Sequence, residues 1–158
     1  EFGWRNHCVG ELHGRVVAVG AGYGASAQWA FTLAAARQIL AFFGWRHAGG
    51  VIARGLRVEG VIRPPSGRMH YLAHLGVEPA LRGRGIGMAL VEHLAAQAAA
   101  LGRMPLALDV AVTNPRAQAL YERCGFAVTG ERPSALADAR GQVPPHRRME
   151  RWGQVMGN

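Results

Sequence analysis

The sequence predicts a single mixed α/β (α+β) sheet with helices packed on it. Three observations lead there. Strand-like and helix-like segments follow in the order β-β-α-α-β-α-β-α-β-β, with no internal repeat and no linker to divide them. The chain has 158 residues, the size of one ordinary domain that buries a real core. Hydrophobic residues make up 49% and charged residues 18%, which excludes a disordered chain.

Each element has a local reason. His7 to Leu12 and Arg15 to Tyr23 read as two strands about a turn at His13-Gly14, the second carrying the run Val16-Val17-Ala18-Val19. Ser26 is placed to cap a helix running to about Phe43, with Trp29, Leu33, Ala36, Leu40 and Phe43 on one face, and Gly44 stops it. Val51, Ile52, Leu56 and Val61 mark a second, glycine-softened helix from Val51 to Ile62, ended by Pro64-Pro65. His70 to Val77 is a strand, closed by Pro79. Gly85 to Leu101 is a helix whose buried stripe is Ile86, Leu90, Leu94 and Leu101, with Gly102 just past its end. Leu106 to Val112 is a strand. Asn114 then caps a helix that Pro115 opens and that ends near Cys124-Gly125. Phe126 to Thr129 is a strand, Arg132 to Pro145 a loop, and His146 to Trp152 a last strand.

Composition removes several function classes. All 18 basic residues are arginine, against 10 acids, for a net charge of +8. Without lysine there is no Schiff-base chemistry and no phosphate loop ending in Gly-Lys-Ser/Thr. An arginine-only, Ala- and Gly-rich chain reflects coding bias, so the charge does not argue for nucleic acid. The arginines are scattered, and no helix shows a basic face with interleaved aromatics. Cys8 and Cys124 are too few for a disulfide scaffold and too far apart for a zinc cluster, and they point to a reducing, cytoplasmic compartment. A membrane span needs about 20 mostly apolar residues. The best stretch, Ala27 to Trp45, is interrupted by Arg37 and Gln38 and reads as a buried amphipathic helix, so no membrane partner is expected. No signal peptide is visible, and the start at Glu1 without Met suggests a piece cut from a longer polypeptide.

The chemistry lies in Val77-Glu78-Pro79-Ala80-Leu81-Arg82-Gly83-Arg84-Gly85-Ile86-Gly87, a strand, a tight glycine-rich loop and a helix start. Such a turn aims several backbone N–H groups at one point, and the helix dipole adds about half a positive charge. Glycines let phosphates approach the backbone, and Arg82 and Arg84 add donors, which makes a pyrophosphate cradle without lysine. The spacing Arg82-x-x-Gly85-x-Gly87 resembles the acetyl-CoA signature of the GNAT family of N-acetyltransferases. The stretch from Asn114-Pro115 through Leu120-Tyr121 to Gly125-Phe126 is similar to that family's second motif. The resemblance covers roughly Met69 to Thr129. Within the family, Tyr71 to Val77 and His146 to Trp152 look like puromycin-type and ribosomal-protein-type acetyltransferases.

The resemblance implies a mixed, mostly antiparallel central sheet flanked by helices. It implies a pantetheine arm lying between the splayed strands His70–Val77 and Leu106–Val112. Backbone groups of Leu75 and Val77 would pair with the pantetheine amides, and the Val77 N–H would polarise the thioester carbonyl. Arg82, Gly83, Arg84, Gly85, Gly87 and Met88 would hold the pyrophosphate, and Asn114 would contact the pantetheine arm. Tyr121 matches the tyrosine that protonates the leaving thiolate, a phenol of pKa about 10 serving a thiolate near about 8.5. The cosubstrate would be acetyl-CoA, with no metal. The acceptor would be a primary amine of a small molecule or peptide, attacking directly.

No base is evident. Tyr71 and Ala73 stand where some relatives carry Glu or His. His70 and His74 fall on the alternate strand face unless a bulge shifts the register. Glu78 reads as a residue that caps or solvates its loop, Glu59 as a solvated helix residue and Cys124 as packing. No acids cluster, which favours a neutral or monocationic amine or a peptide N-terminus over an aminoglycoside. Relatives carry a strand and a helical pair before the first hairpin, whereas here the chain opens at that hairpin. The free sheet edge invites a homodimer or strand exchange. Two further readings remain. One is a non-catalytic GNAT-like domain that senses acetyl-CoA. The other is a dinucleotide binder built on Gly20-Ala21-Gly22-Tyr23-Gly24-Ala25. Against the latter, no acid lies between Glu11 and Glu59 to take the ribose, so that stretch reads as a strand running into a flexible loop.

Overall fold

Six strands form one sheet in the order β1 (His7–Leu12), β2 (Arg15–Gly24), β3 (His70–Val77), β4 (Leu106–Ala111), β8 (His146–Arg151) and β5 (Ala127–Arg132). Every pairing is antiparallel except β3 with β4. The computed structural model describes residues 6–59, 65–134, 137–138 and 141–153. The end of the second predicted helix and the side chains of Ser26, Trp29 and Glu59 lie outside what it describes.

Two helices, α2 (Ile86–Ala100) and α3 (Pro115–Arg123), cover one face of the sheet. Leu72, Leu106, Leu108 and Met149 from the strands meet Val91 and Leu94 of α2 there, all nearly inaccessible to water. Strand residues alternate between faces, so Tyr23, Tyr71 and Ala107 form a second, smaller cluster on the opposite face.

Four expectations change. The helical region between β2 and β3 is one 35-residue element, α1 (Ala25–Glu59), broken at Gly44 (φ 67°, ψ 166°). Its second half starts straight after the break rather than at Val51. The stripe expected to be buried is largely open. Leu33, Leu40 and Phe43 are exposed, Phe42 and Trp45 more so, and among the described residues of α1 Ala48 is the buried apolar side chain. Periodicity marks an apolar stripe but not what covers it. Gly20 to Gly24 is not a loop, because it is the last part of β2. Its glycines make room: a Cβ at Gly20 would press on Leu75 and Leu94, and one at Gly22 would run into the His70 imidazole. With β2 antiparallel to both neighbours, the parallel crossover of a dinucleotide fold is absent there. Finally, β5 runs on to Arg132, and the loop after it carries a small hairpin, β6 (Ala137–Asp138) with β7 (Gly141–Gln142).

His70 is 4% exposed, and its Nδ1 finds no hydrogen-bond partner. Burial, with Arg103 nearby, lowers its pKa to about 4 from 6.5. The unfolded chain therefore binds this proton more readily than the folded one. The stabilising contribution is complete above about pH 6.5 and is lost as pH falls towards 4. The loss reaches up to about 3 kcal/mol. In urea titrations, wild type should lose that much more stability between pH 7 and 4 than His70→Leu. Equal losses would show that the imidazole stays uncharged for some other reason.

Candidate active site

β3 and β4 pair only at His70–Leu106 and Tyr71–Ala107, then part. Beyond that point the β4-facing edge of β3 is open. The Glu78 N–H donates to the Val17 carbonyl at 2.8 Å, so Gly76 and Glu78 turn their amides towards β2. By alternation, Leu75 and Val77 turn theirs into the gap. That is the orientation needed for an extended ligand to add as a strand, and it was expected at these two residues.

A 3-10 turn, Pro79–Leu81, leads from β3 into the glycine loop. Gly83 (φ 81°) and Gly85 (φ 83°) are left-handed, a region that favours glycine, and Gly85 is the N-cap of α2. The first four N–H groups of α2 have no partner within the helix, and the dipole sets positive charge there. No atom stands within 4 Å of a Cβ built on Gly83 or Gly85. Gly87 has a different reason. A Cβ there would sit 3.1 Å from Leu120, so its lack of a side chain lets α3 close on α2. Arg82 bends back, its Nε donating to the Val77 carbonyl at 3.1 Å, which ties strand to loop.

These parts enclose a crevice of about 520 Å³. Of the residues expected to hold cofactor, Leu75, Val77, Arg82, Gly83, Gly85, Gly87, Met88 and Asn114 line it, and so does Tyr121. Arg84 is not among the lining residues. Arg116 and Arg123 are, although the motif reading did not single them out. They stand two turns apart on α3, on the side of Leu120, a helical period visible in the sequence. The lining thus holds three arginines and no carboxylate. Asn114 Oδ1 caps α3 by accepting from the Ala117 N–H at 3.1 Å, which leaves its amide N–H donors for a ligand.

Tyr121 is buried edge-on to Phe126, and burial, then Cys124, pushes its pKa above 10.0. It stays protonated, a weaker acid than an open phenol. Cys124 is buried, and burial raises its thiol too, as befits a packing residue.

The opposite face carries a polar cluster that the sequence reading missed. Asp109 on β4 is nearly inaccessible; its oxygens accept from the Arg148 Nε at 3.1 Å and the Tyr71 hydroxyl at 2.8 Å. Burial raises the Asp109 pKa although Arg148 opposes it, and burial with Asp109 raises that of Tyr71. The signal was a lone acid alternating with apolar residues in Leu106-Ala107-Leu108-Asp109-Val110. β3 also carries a bulge. Two of its residues, His74 and Leu75, oppose Gly20, with His74 at φ 55°. The bulge returns Leu75 to the α2 face and turns His74 to the Tyr71 face, where His7 Nε2 meets its Nδ1 at 3.0 Å. Glu78 pairs at 3.5 Å with exposed Arg15 rather than capping the turn.

Among the described residues no three His, Cys, Asp or Glu side chains are grouped as metal ligands, and no helix is long and apolar enough to cross a membrane. A model of the acetyltransferase (GNAT) family matches residues 5–126. The fold is similar to IAA acetyltransferase from Bacillus cereus, at 15% identity and a TM-score of 0.60, over 93% of this chain and 77% of that one. It is also similar to the ribosomal-protein-S18-alanine N-acetyltransferase of Escherichia coli, at 18% and 0.56, over 94% and 71%. A third likeness is yncA of Salmonella typhimurium, solved with its cofactor acetyl-CoA, at 17% and 0.61, over 96% and 66%. At these identities the likenesses speak for the fold, and the family match, over most of the length, establishes that the chain belongs to the GNAT family of acetyltransferases.

Proposed function

We propose that this chain transfers the acetyl group of acetyl-CoA to a primary amine of a small molecule or a peptide. The observation that carries the reading is the crevice itself. It has an open strand edge at Leu75 and Val77, a helix start at Gly85, three arginines without a carboxylate, and Tyr121 as a buried acid. A diphosphate is matched by the start of α2, and further phosphate charge by Arg116 and Arg123 on α3. An amide-bearing arm is matched by the backbone of Leu75 and Val77. Acetyl-CoA supplies the activated acyl group as its thioester. The Val77 N–H polarises the carbonyl, the amine nitrogen forms the new C–N bond and gives up one proton to solvent as C–S breaks, and Tyr121 gives its proton to the departing sulfur and regains one from solvent. Positive charge in the crevice and the lack of a carboxylate in its lining favour an acceptor with at most one positive charge, such as a peptide N-terminus.

Calorimetry with acetyl-CoA, followed by thiol release over a panel of amines, tests this. Binding in the micromolar range and amine-dependent release of coenzyme A are expected, with aminoglycosides poor acceptors. Binding without release for every amine would favour a sensing domain, and no binding would remove the reading altogether.

A further inference from the structure

The sheet face away from α2 and α3 buries an ion pair beside its cluster of Tyr23, Tyr71 and Ala107. Asp109 and Arg148 stand opposite each other on β4 and β8, with side chains 3% and 11% exposed. The Arg148 Nε donates to one Asp109 oxygen at 3.1 Å, and the Tyr71 hydroxyl donates to the other at 2.8 Å. β4 lies between β8 and β3, so Arg148 must pass over it to reach β3. It does: its guanidinium carbon stands 5.2 Å from the centre of the Tyr71 ring, and its Nη1 donates to the Met69 sulfur, just before β3, at 3.8 Å. Side chains on one face thus join β3, β4 and β8.

The place of this junction matters. Tyr71 and Ala107 are the last backbone pair of β3 with β4. Asp109 follows two residues later on β4, on the same face by alternation. The Tyr71–Asp109 bond therefore crosses from β3 to β4 where the ladder has ended and the strands begin to part. Before that point the backbone holds them, the His70 N–H donating to the Pro105 carbonyl at 2.9 Å. A buried ion pair is weak evidence for stability, because taking two charges out of water costs about as much as their attraction returns. Apolar side chains would fill this face as well. What they would not supply is direction, since a hydrogen bond fixes a distance between two chosen atoms and apolar contact does not.

We infer that Tyr71 and Asp109 are positioning residues for the acetyl donor: their bond fixes where β3 and β4 part, and so sets the Leu75 and Val77 backbone for the pantetheine arm. This rests on the acetyltransferase reading above. Neither side chain lines the crevice, so the effect passes along the β3 backbone, which leads from Tyr71 to Leu75 and Val77. An edge held in place beforehand spares the ligand the cost of ordering it on binding.

The test compares wild type, Tyr71→Phe and Asp109→Asn. Tyr71→Phe removes the hydroxyl alone, and the ring keeps its neighbours Tyr23 and Arg148. Asp109→Asn keeps a bond to the Tyr71 hydroxyl, which both donates and accepts, but takes the counter-charge from Arg148. The two variants therefore separate position from stability. Tyr71→Phe should bind acetyl-CoA about 10-fold more weakly by calorimetry, with the smaller fall in Tm. Asp109→Asn should fall further in Tm and keep its affinity within about threefold of wild type. A second readout needs no ligand. In Tyr71→Phe the His70 amide should exchange its hydrogen about 10-fold faster, while the amides of α2 exchange as in wild type. Unchanged affinity in Tyr71→Phe, affinity that falls in step with Tm across the two variants, or unchanged exchange at His70 overturns the assignment. A wild type that binds no acetyl-CoA overturns the acetyltransferase reading, and the role of this pair with it.

Discussion

Gly85→Val should abolish acetyl-CoA binding in a chain that still folds. Gly85 sits at φ 83°, where a β-branched residue is strained by about 1–3 kcal/mol, a cost that a domain with a well-packed core absorbs. The loss of binding has a different origin. A Cβ at Gly85 meets no protein atom within 4 Å, so the new side chain fills space that belongs to a ligand, directly over the amides that start α2. Gly14, in the turn between β1 and β2, separates the two effects. It has φ 75°, also has nothing within 4 Å of a built Cβ, and is not part of the crevice. Gly14→Val should therefore lower the Tm by an amount comparable to Gly85→Val and leave the calorimetric titration with acetyl-CoA as in wild type. If Gly85→Val binds within threefold of wild type, the amides of α2 do not hold the diphosphate. If Gly14→Val loses binding as well, strain rather than occlusion is the cause.

The parts of the site that were readable in the chain are those where one residue type has one physical reason. Glycine at Gly83 and Gly85 signals a left-handed turn, Asn114 before Pro115 signals a capped helix, and both hold. Most element bounds fall within a residue or two of expectation for the same reason. Gly87 was assigned to phosphate approach along with its neighbours; it lines the crevice, and it also makes room for Leu120, a second reason that a sequence does not reveal because it does not show which neighbour closes on a glycine. The β3 bulge was illegible in a stronger sense. Period two carried through His70 to Val77 puts His74 on the face of His70, and one inserted residue reverses that. Histidine is tolerated at positive φ, so no glycine marked the place. Asp109 and Arg148 lie on strands 39 residues apart in the chain and meet only because β4 and β8 pair. Local patterns hold no trace of such a contact. The same holds for α1, whose apolar stripe was plain while its exposure was not.

Tyr121→Phe should lower kcat by roughly 100-fold while changing acetyl-CoA affinity by no more than about twofold. The ring packs edge-on to Phe126 at 6.2 Å between centres and keeps the same shape in the variant, so the wall of the crevice is preserved. What is removed is a hydroxyl on a residue that lines the crevice. Burial acts on this group in two directions. By raising the pKa above 10.0 it keeps the proton in place around neutral pH, so no loss of rate near neutral pH should come from ionisation of Tyr121. By the same shift it widens the gap to an ordinary thiol of pKa about 8.5, so the transfer to sulfur is less favourable than for an open phenol. The difference narrows when the sulfur sits in the same dry crevice, because desolvation raises a thiol as it raises a phenol. A proton passed between two groups raised together is matched again. Steady-state thiol release for wild type and Tyr121→Phe, with calorimetry alongside, decides the point. A fall in kcat without a change in binding identifies an acid used only as C–S breaks. A proportional loss of affinity would instead make Tyr121 a wall of the crevice.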